Sequence, residues 1–179
     1  AEVIPINVNP DGTNVNKNSG STNTKKLVAT VKKSKSDLGI ALDGDADRCI
    51  LVDEKGNLIN GDLILGIIAT SWKKKNILKN NSVVGTSMSN SGLEQYFRKL
   101  NIKFIRTDVG DRNVIREMKK RGFVLGGEPS GHIILSNLSS SGDGLLASLE
   151  VLNILKETKK KLSYYNKLFK AYPQVINNF

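Results

Sequence analysis

The 179-residue sequence predicts an α/β fold, with helices covering a mainly parallel or mixed sheet. Three observations lead there. From Gly61 onward, short apolar runs of strand length alternate with stretches of helical periodicity. Before that, two more strand-length apolar runs, residues 38–42 and 49–52, flank an acidic loop. Apolar residues make up 39% of the chain and charged residues 25%, an ordinary balance for a chain that fills one sizeable core.

In chain order, residues 1–6 are expected to form a short strand, and residues 7–20, rich in Asn, Gly, Asp and Pro, a long loop. Ser21 or Thr22 is placed to cap a helix whose apolar positions Leu27, Val28 and Val31 recur at helical spacing. Residues 37–42 make the strand that feeds the acidic loop, and residues 48–53 the strand that leaves it. Glu54-Lys-Gly-Asn57 supplies a hairpin turn in which Gly56 is free to take positive φ. Asp62 stands at the start of an apolar helix over 63–72, and the lysines after it suit the C-terminal dipole. Strands over 82–86, 102–107, 123–127 and 132–135 then alternate with helices over 92–100 and 111–121. Asp143 caps a longer helix in which Leu145, Leu149, Leu152 and Leu155 form the expected buried stripe. A short helix over 162–169, a linker and the start of a further strand from Gln174 end the chain.

A net charge of +10 raises the question of nucleic acid. The excess is mostly Lys scattered along helices, as in Lys73-Lys74-Lys75, and aromatics are only 6%. Binding modules interleave Arg with stacking aromatics, so the composition argues against nucleic acid and suits phosphorylated substrates instead. No apolar run approaches the ~20 residues of a membrane-spanning helix. The single Cys49 excludes an internal disulfide, suits a reducing cytoplasm and sits in an apolar run as a buried structural thiol. The start, Ala-Glu-Val-Ile-Pro, carries neither an initiator Met nor a basic leader and resembles the middle of a strand. The chain is therefore expected to be a piece of a longer, cytoplasmic protein.

Chemistry concentrates in Asp43-Gly-Asp-Ala-Asp-Arg48. Residues i, i+2 and i+4 share one side of an extended segment, and a curl after Leu42 brings Asp43, Asp45 and Asp47 to one point. Such a cluster calls for a hard divalent cation, Mg²⁺ or Ca²⁺; the bland reading is a solvated acidic turn. An EF-hand count puts Asp45 third, Asp47 fifth and Glu54 twelfth, but Arg48 occupies the sixth place, where a Gly must turn the loop. Gly126-Gly-Glu-Pro-Ser-Gly-His132 is a polar turn between apolar strands, in which Glu128 and Ser130 suit sugar hydroxyls and His132 a substrate oxygen or phosphate. Thr107-Asp-Val-Gly-Asp-Arg112 joins a strand to a helix N-terminus that can face an anion; Asp111 as a cap and Arg112 as a surface residue is the plain alternative. Asn90-Ser91-Gly92 is a similar junction that helix capping explains.

In this order, these stretches resemble the α-D-phosphohexomutase superfamily: Asp43-Gly-Asp-Ala-Asp-Arg48 its metal-binding loop and Gly127-Glu-Pro-Ser-Gly-His132 its sugar-binding loop. Pro10-Asp-Gly-Thr-Asn-Val-Asn16, Gly20-Ser-Thr22, Met88-Ser-Asn90 and Val109-Gly-Asp-Arg112 are similar to its bacterial branch that acts on glucosamine phosphate, although Pro129 stands where that branch usually carries Gln. The resemblance implies three-layer α/β/α sandwiches with a mixed sheet. Residues 1–57 would be the end of the second of four domains, 58–170 the third, and 171–179 a linker and the first residues of the fourth. It implies Mg²⁺ on Asp43, Asp45 and Asp47, and a phosphorylated hexosamine against Glu128, Ser130, His132, Arg48 and Arg112. The expected reaction interconverts glucosamine 6-phosphate and glucosamine 1-phosphate through a phosphoserine and a bisphosphorylated sugar. The serine lies in the first domain, so the chain by itself is expected to be inactive. Phosphomannomutase or phosphoglucomutase activity is the alternative within the superfamily, and a metal- or nucleic-acid-binding module the alternative outside it.

Overall fold

Period-two burial divides each strand's side chains between two helical layers, and this decides where every helix sits. A computed structural model describes residues 2–175. Strands β1 (Leu38–Leu42), β2 (Cys49–Asp53) and β3 (Leu58–Ile59) form an antiparallel sheet in the order β1-β2-β3. β2 is buried along its whole length. Cys49 and Leu51 enter the main core, and Ile50 and Val52 alternate to the face that carries α1 (Lys25–Ser34). Gly39, opposite Val52 in the register, lies directly under Leu27 and Val31 of that helix.

The second sheet has the order β5-β4-β6-β7, formed by β4 (Ser82–Thr86), β5 (Lys103–Thr107), β6 (Leu125–Gly127) and β7 (Ile133–Leu135). β4 runs parallel to β5 and β6, while β7 is antiparallel to β6, so the sheet is mixed as expected. Val83, Leu125, Ile133 and Leu135 pack with α2 (Gly61–Lys74), α3 (Ser91–Lys99) and α5 (Gly144–Thr158). On the other face, Val84 and Ile134 meet Val114 and Met118 of α4 (Asp111–Arg121). The result is an α/β/α sandwich. A single core cluster runs from Leu51 and Ile59 of the first sheet through Ile64, Leu65 and Trp72 of α2 to Leu125 and Val151.

Several expectations need correction. Residues 2–6 are not a strand: among the described residues nothing pairs with them, and Val3 and Ile4 are exposed. Thr24, not Ser21 or Thr22, precedes α1, and it makes no side-chain cap. Asn60 caps α2 by accepting from Leu63 N, whereas Asp62 is buried in the first turn. The expected leucine stripe of α5 is only partly buried: Leu152 is half-buried and Leu155 packs against the main core. Leu145 and Leu149 are about half exposed, at 50% and 52%, and the buried residues are Gly144, Ala147, Ser148, Val151 and Ile154. Both stripes have helical spacing, but α5 approaches so closely that a Cβ on Gly144 would lie 2.7 Å from the Arg48 carbonyl, so only glycine fits at that point of the buried face. The last helix, α6 (Leu162–Tyr165), is shorter than expected. Of the strand expected from Gln174, residues 176–179 lie outside the described residues, and 174–175 are not in a strand.

Candidate metal centre and the loops around it

The β1–β2 register ends on the pair Leu42 and Cys49, leaving residues 43–48 as the connection. Ala46 takes φ 58°, and its N–H donates to Asp43 O, which curls the loop. One oxygen from each of Asp43, Asp45 and Asp47 can lie within 4.8 Å of the others. Arg48 stays beside them, its Nε 3.8 Å from Asp43 Oδ2 and 3.7 Å from Asp47 Oδ1, and its backbone N–H donates to Asp43 Oδ1. Partial burial and the neighbouring Asp43 and Asp45 carboxylates push Asp47 above its ordinary pKa, against the pull of His132. Asp47 Oδ1 is buried without a hydrogen-bond donor among the described residues. An all-oxygen donor set with an orphaned buried carboxylate oxygen fits a hard divalent cation. A cleft of about 950 Å³ between residues 5–20 and β1 opens onto Asp43 and Gly44.

The turn between β6 and β7 lies against this loop. Gly131 N donates to Glu128 O, and Glu128 N donates to His132 O, a type I turn closed by a glycine bulge with Gly131 at φ 96°. Pro129 falls at the second turn position, which its fixed φ suits. Cys49 N donates to Gly131 O, and Arg48 and His132 form an antiparallel bridge, so the two loops share backbone contacts. His132 is 3% exposed, with Nε2 3.6 Å from Asp47 Oδ2. Ser130 is exposed. Burial pushes the Cys49 thiol up to about 11, in keeping with a structural thiol.

β4, β5 and β6 are parallel, so their carboxyl ends share one edge, the usual place for a site in such sheets. Gly110 N donates to Glu128 Oε1 and thereby docks the loop after β5 onto the loop after β6. Arg112 is exposed on the first turn of α4, and Gly110 rather than Asp111 occupies the cap position. The structure therefore brings Asp43, Asp45, Asp47, Arg48 and His132 into one cluster and ties Glu128 to it through the turn. Arg112 belongs to the neighbouring loop. Two long-range contacts went unrecognised in the sequence. The Gly110–Glu128 bond joins positions 18 residues apart and has no local signal. Asn90 does more than cap α3, because its amide also binds residues 172 and 174.

The family model described as phosphoglucomutase/phosphomannomutase, alpha/beta/alpha domain III matches residues 60–172, and that for domain II matches residues 1–56. The chain belongs to this family. A phosphoglucosamine mutase from Pelagibacter ubique (strain HTCC1062) is 53% identical over 99% of the chain and 40% of its own length. The chain thus spans about two fifths of the curated relatives it matches. Among solved family structures, a phosphomannomutase from Thermus thermophilus, so described provisionally, is 25% identical with a TM-score of 0.74, covering 82% of this chain and 34% of its own. An Aspergillus fumigatus N-acetylphosphoglucosamine mutase in complex with GlcNAc-6P and magnesium is similar in fold, with a TM-score of 0.64 at 20% identity over 87% of this chain and 38% of its own. Among the described residues, no helix is long and apolar enough to cross a membrane.

Proposed function

We propose that this chain supplies the metal- and sugar-binding parts of a cytoplasmic phosphohexomutase that interconverts glucosamine 6-phosphate and glucosamine 1-phosphate. The observation that carries the reading is the convergence of three carboxylates, one with an orphaned buried oxygen, against the Glu128–His132 turn. The relatives named phosphoglucosamine mutase support the choice of sugar. Residues 1–57 and 58–170 are taken as parts of two family domains, followed by a linker into a fourth.

Asp43, Asp45 and Asp47 would hold Mg²⁺, which when bound offsets negative charge on a phosphoryl group in transfer. Arg48, drawn between Asp43 and Asp47, steadies the loop and neutralises part of its charge. Glu128 accepts from sugar hydroxyls, with its carboxylate oriented by the Gly110 N–H, and exposed Ser130 adds a second hydroxyl partner. His132 and Arg112 serve the phosphate side. A bisphosphorylated intermediate binds in two orientations, so these groups must accept either end of the sugar. The phosphoserine donor belongs to a part of the enzyme not in this sequence, and the isolated chain turns nothing over.

Titration of the 179-residue chain with Mg²⁺ should give saturable binding, and Asp45→Asn should weaken it at least tenfold while leaving the fold intact. Equal affinity in the variant would refute the metal assignment. For the sugar, the full-length parent should turn over glucosamine 6-phosphate faster than glucose 6-phosphate or mannose 6-phosphate. Equal or faster turnover of glucose 6-phosphate would shift the reading to phosphoglucomutase.

A further inference from the structure

Asn90 closes the loop after β4, and every polar group it has is used. Its backbone N–H donates to Asp62 Oδ2 at 2.8 Å, which fixes the residue to the buried first turn of α2. Its Oδ1 accepts from Gly92 N at 2.9 Å, the expected helix cap, and also from Tyr172 N at 3.0 Å. Its Nδ2 donates to Tyr172 O at 2.9 Å and to Gln174 Oε1 at 3.2 Å. One carboxamide thus exchanges two hydrogen bonds with one peptide residue, the pairing that neighbouring strand residues make in an antiparallel ladder. Three further contacts hold the same segment: Gln174 Nε2 to Met88 O, Tyr172 Oη to Gln95 Oε1, and Lys170 O packed against Gly92 so closely that a Cβ there would sit 2.2 Å away.

We propose that Asn90 is a strap anchor. Its side chain stands in for a strand residue, clamps residues 170–174 across the N-terminus of α3, and fixes the direction in which the chain continues past the site edge. Helix capping alone does not account for this. A Ser, Thr or Asp cap satisfies the Gly92 amide equally well, but only the carboxamide both accepts from and donates to Tyr172. The Met88–Asn90 loop lies at the carboxyl end of β4, so the strap couples the outgoing chain to the same edge that carries the Glu128 turn. This inference is independent of the metal and sugar assignments.

The test separates cap from clamp. Asn90→Ser keeps a cap for α3 and removes the carboxamide. Residue-resolved amide exchange on the 179-residue chain should show Tyr172 exchanging roughly tenfold faster, about 1.4 kcal/mol of lost protection, with Gly92 unchanged. Unchanged Tyr172 protection would overturn the proposal, and so would parallel acceleration at Gly92 and Tyr172, which would mean that Asn90 is only a cap. If the serine variant fails to fold, Asn90→Asp decides. It keeps both acceptor bonds and loses both donor bonds, and trypsin should cut after Lys170 several-fold faster than in the parent chain. Equal cleavage would sink the idea.

Discussion

The turn at residues 53–57 and the turn at residues 128–132 share one backbone design. In each, the fourth residue is a glycine with positive φ, 87° at Gly56 and 96° at Gly131. In each, the glycine N–H donates to the first residue's carbonyl, and the first residue's N–H donates to the fifth residue's carbonyl. Each also begins with an acid. Asp53 is completely buried, and its carboxylate accepts from Lys55 N, Asn57 N, Asn57 Nδ2 and Asn166 Nδ2. Those donors leave it no free acceptor capacity. Glu128 is one methylene longer and reaches past its own turn to Gly110 N. The short acid is spent on the turn that holds it, while the long acid is presented at the edge where three loops meet. What separates the structural carboxylate from the candidate binding one is therefore the number of donors its reach allows, because the turn is the same.

Substituting the two acids should break this comparison most sharply. Asp53→Ala strands four donors around a buried site and should cost about 3–4 kcal/mol in denaturant unfolding. Glu128→Ala should cost about 1 kcal/mol or less and abolish phosphosugar binding by the full-length parent. Similar losses of stability would erase the distinction. The glycines come next. A Cβ on Gly131 would lie 2.0 Å from the Cys49 carbonyl, on a strand that cannot yield. The corresponding Cβ on Gly56 comes within 2.2 Å of the end of the Lys32 side chain, which can swing away, and otherwise within 3.2 Å of Val28 Cγ1. Gly131→Ala should destabilise by about 3 kcal/mol and Gly56→Ala by about 1 kcal/mol, measured by the same unfolding curves.

The smallest effect concerns Glu54, beside Asp53. Burial raises its pKa, but the Ser163 hydroxyl and N–H outweigh that and hold it below the ordinary glutamate value. A lowered folded pKa contributes stability above the unfolded value, near 4.5, and that contribution is lost as pH falls through the folded one. Glu54→Gln should therefore lose a small stabilising contribution at pH 7 and flatten the acid limb, the two proteins converging as pH falls through the folded value. An unchanged acid limb would remove Glu54 from that role.

Much of the molecule was legible in the residues. The strand at 82–86 and the helix at 111–121 agree to the residue with β4 and α4, because period-two and period-3.6 patterns are local. The acidic loop was legible too, since alternate acids between two apolar runs leave few other arrangements. The buried face of α5 was not. Leu145 and Val151 satisfy the same helical period, and only the close approach of Arg48 selects the face with Gly144, Ala147 and Ser148. The short strand β3 also escaped notice, because two residues carry no period.

By itself, the sequence determined the layered α/β class, the carboxylate cluster and the polar turn that accompanies it. These rest on spacing within a few residues, where backbone geometry dictates which side chains share a face. Tertiary structure alone decided which carboxylates are consumed and which are offered. It set Asp53 among four donors, drew Arg48 between Asp43 and Asp47, and oriented Glu128 with an amide from another loop. The Asn166 and Gly110 donors come from segments distant in the chain, so no local pattern could have revealed them.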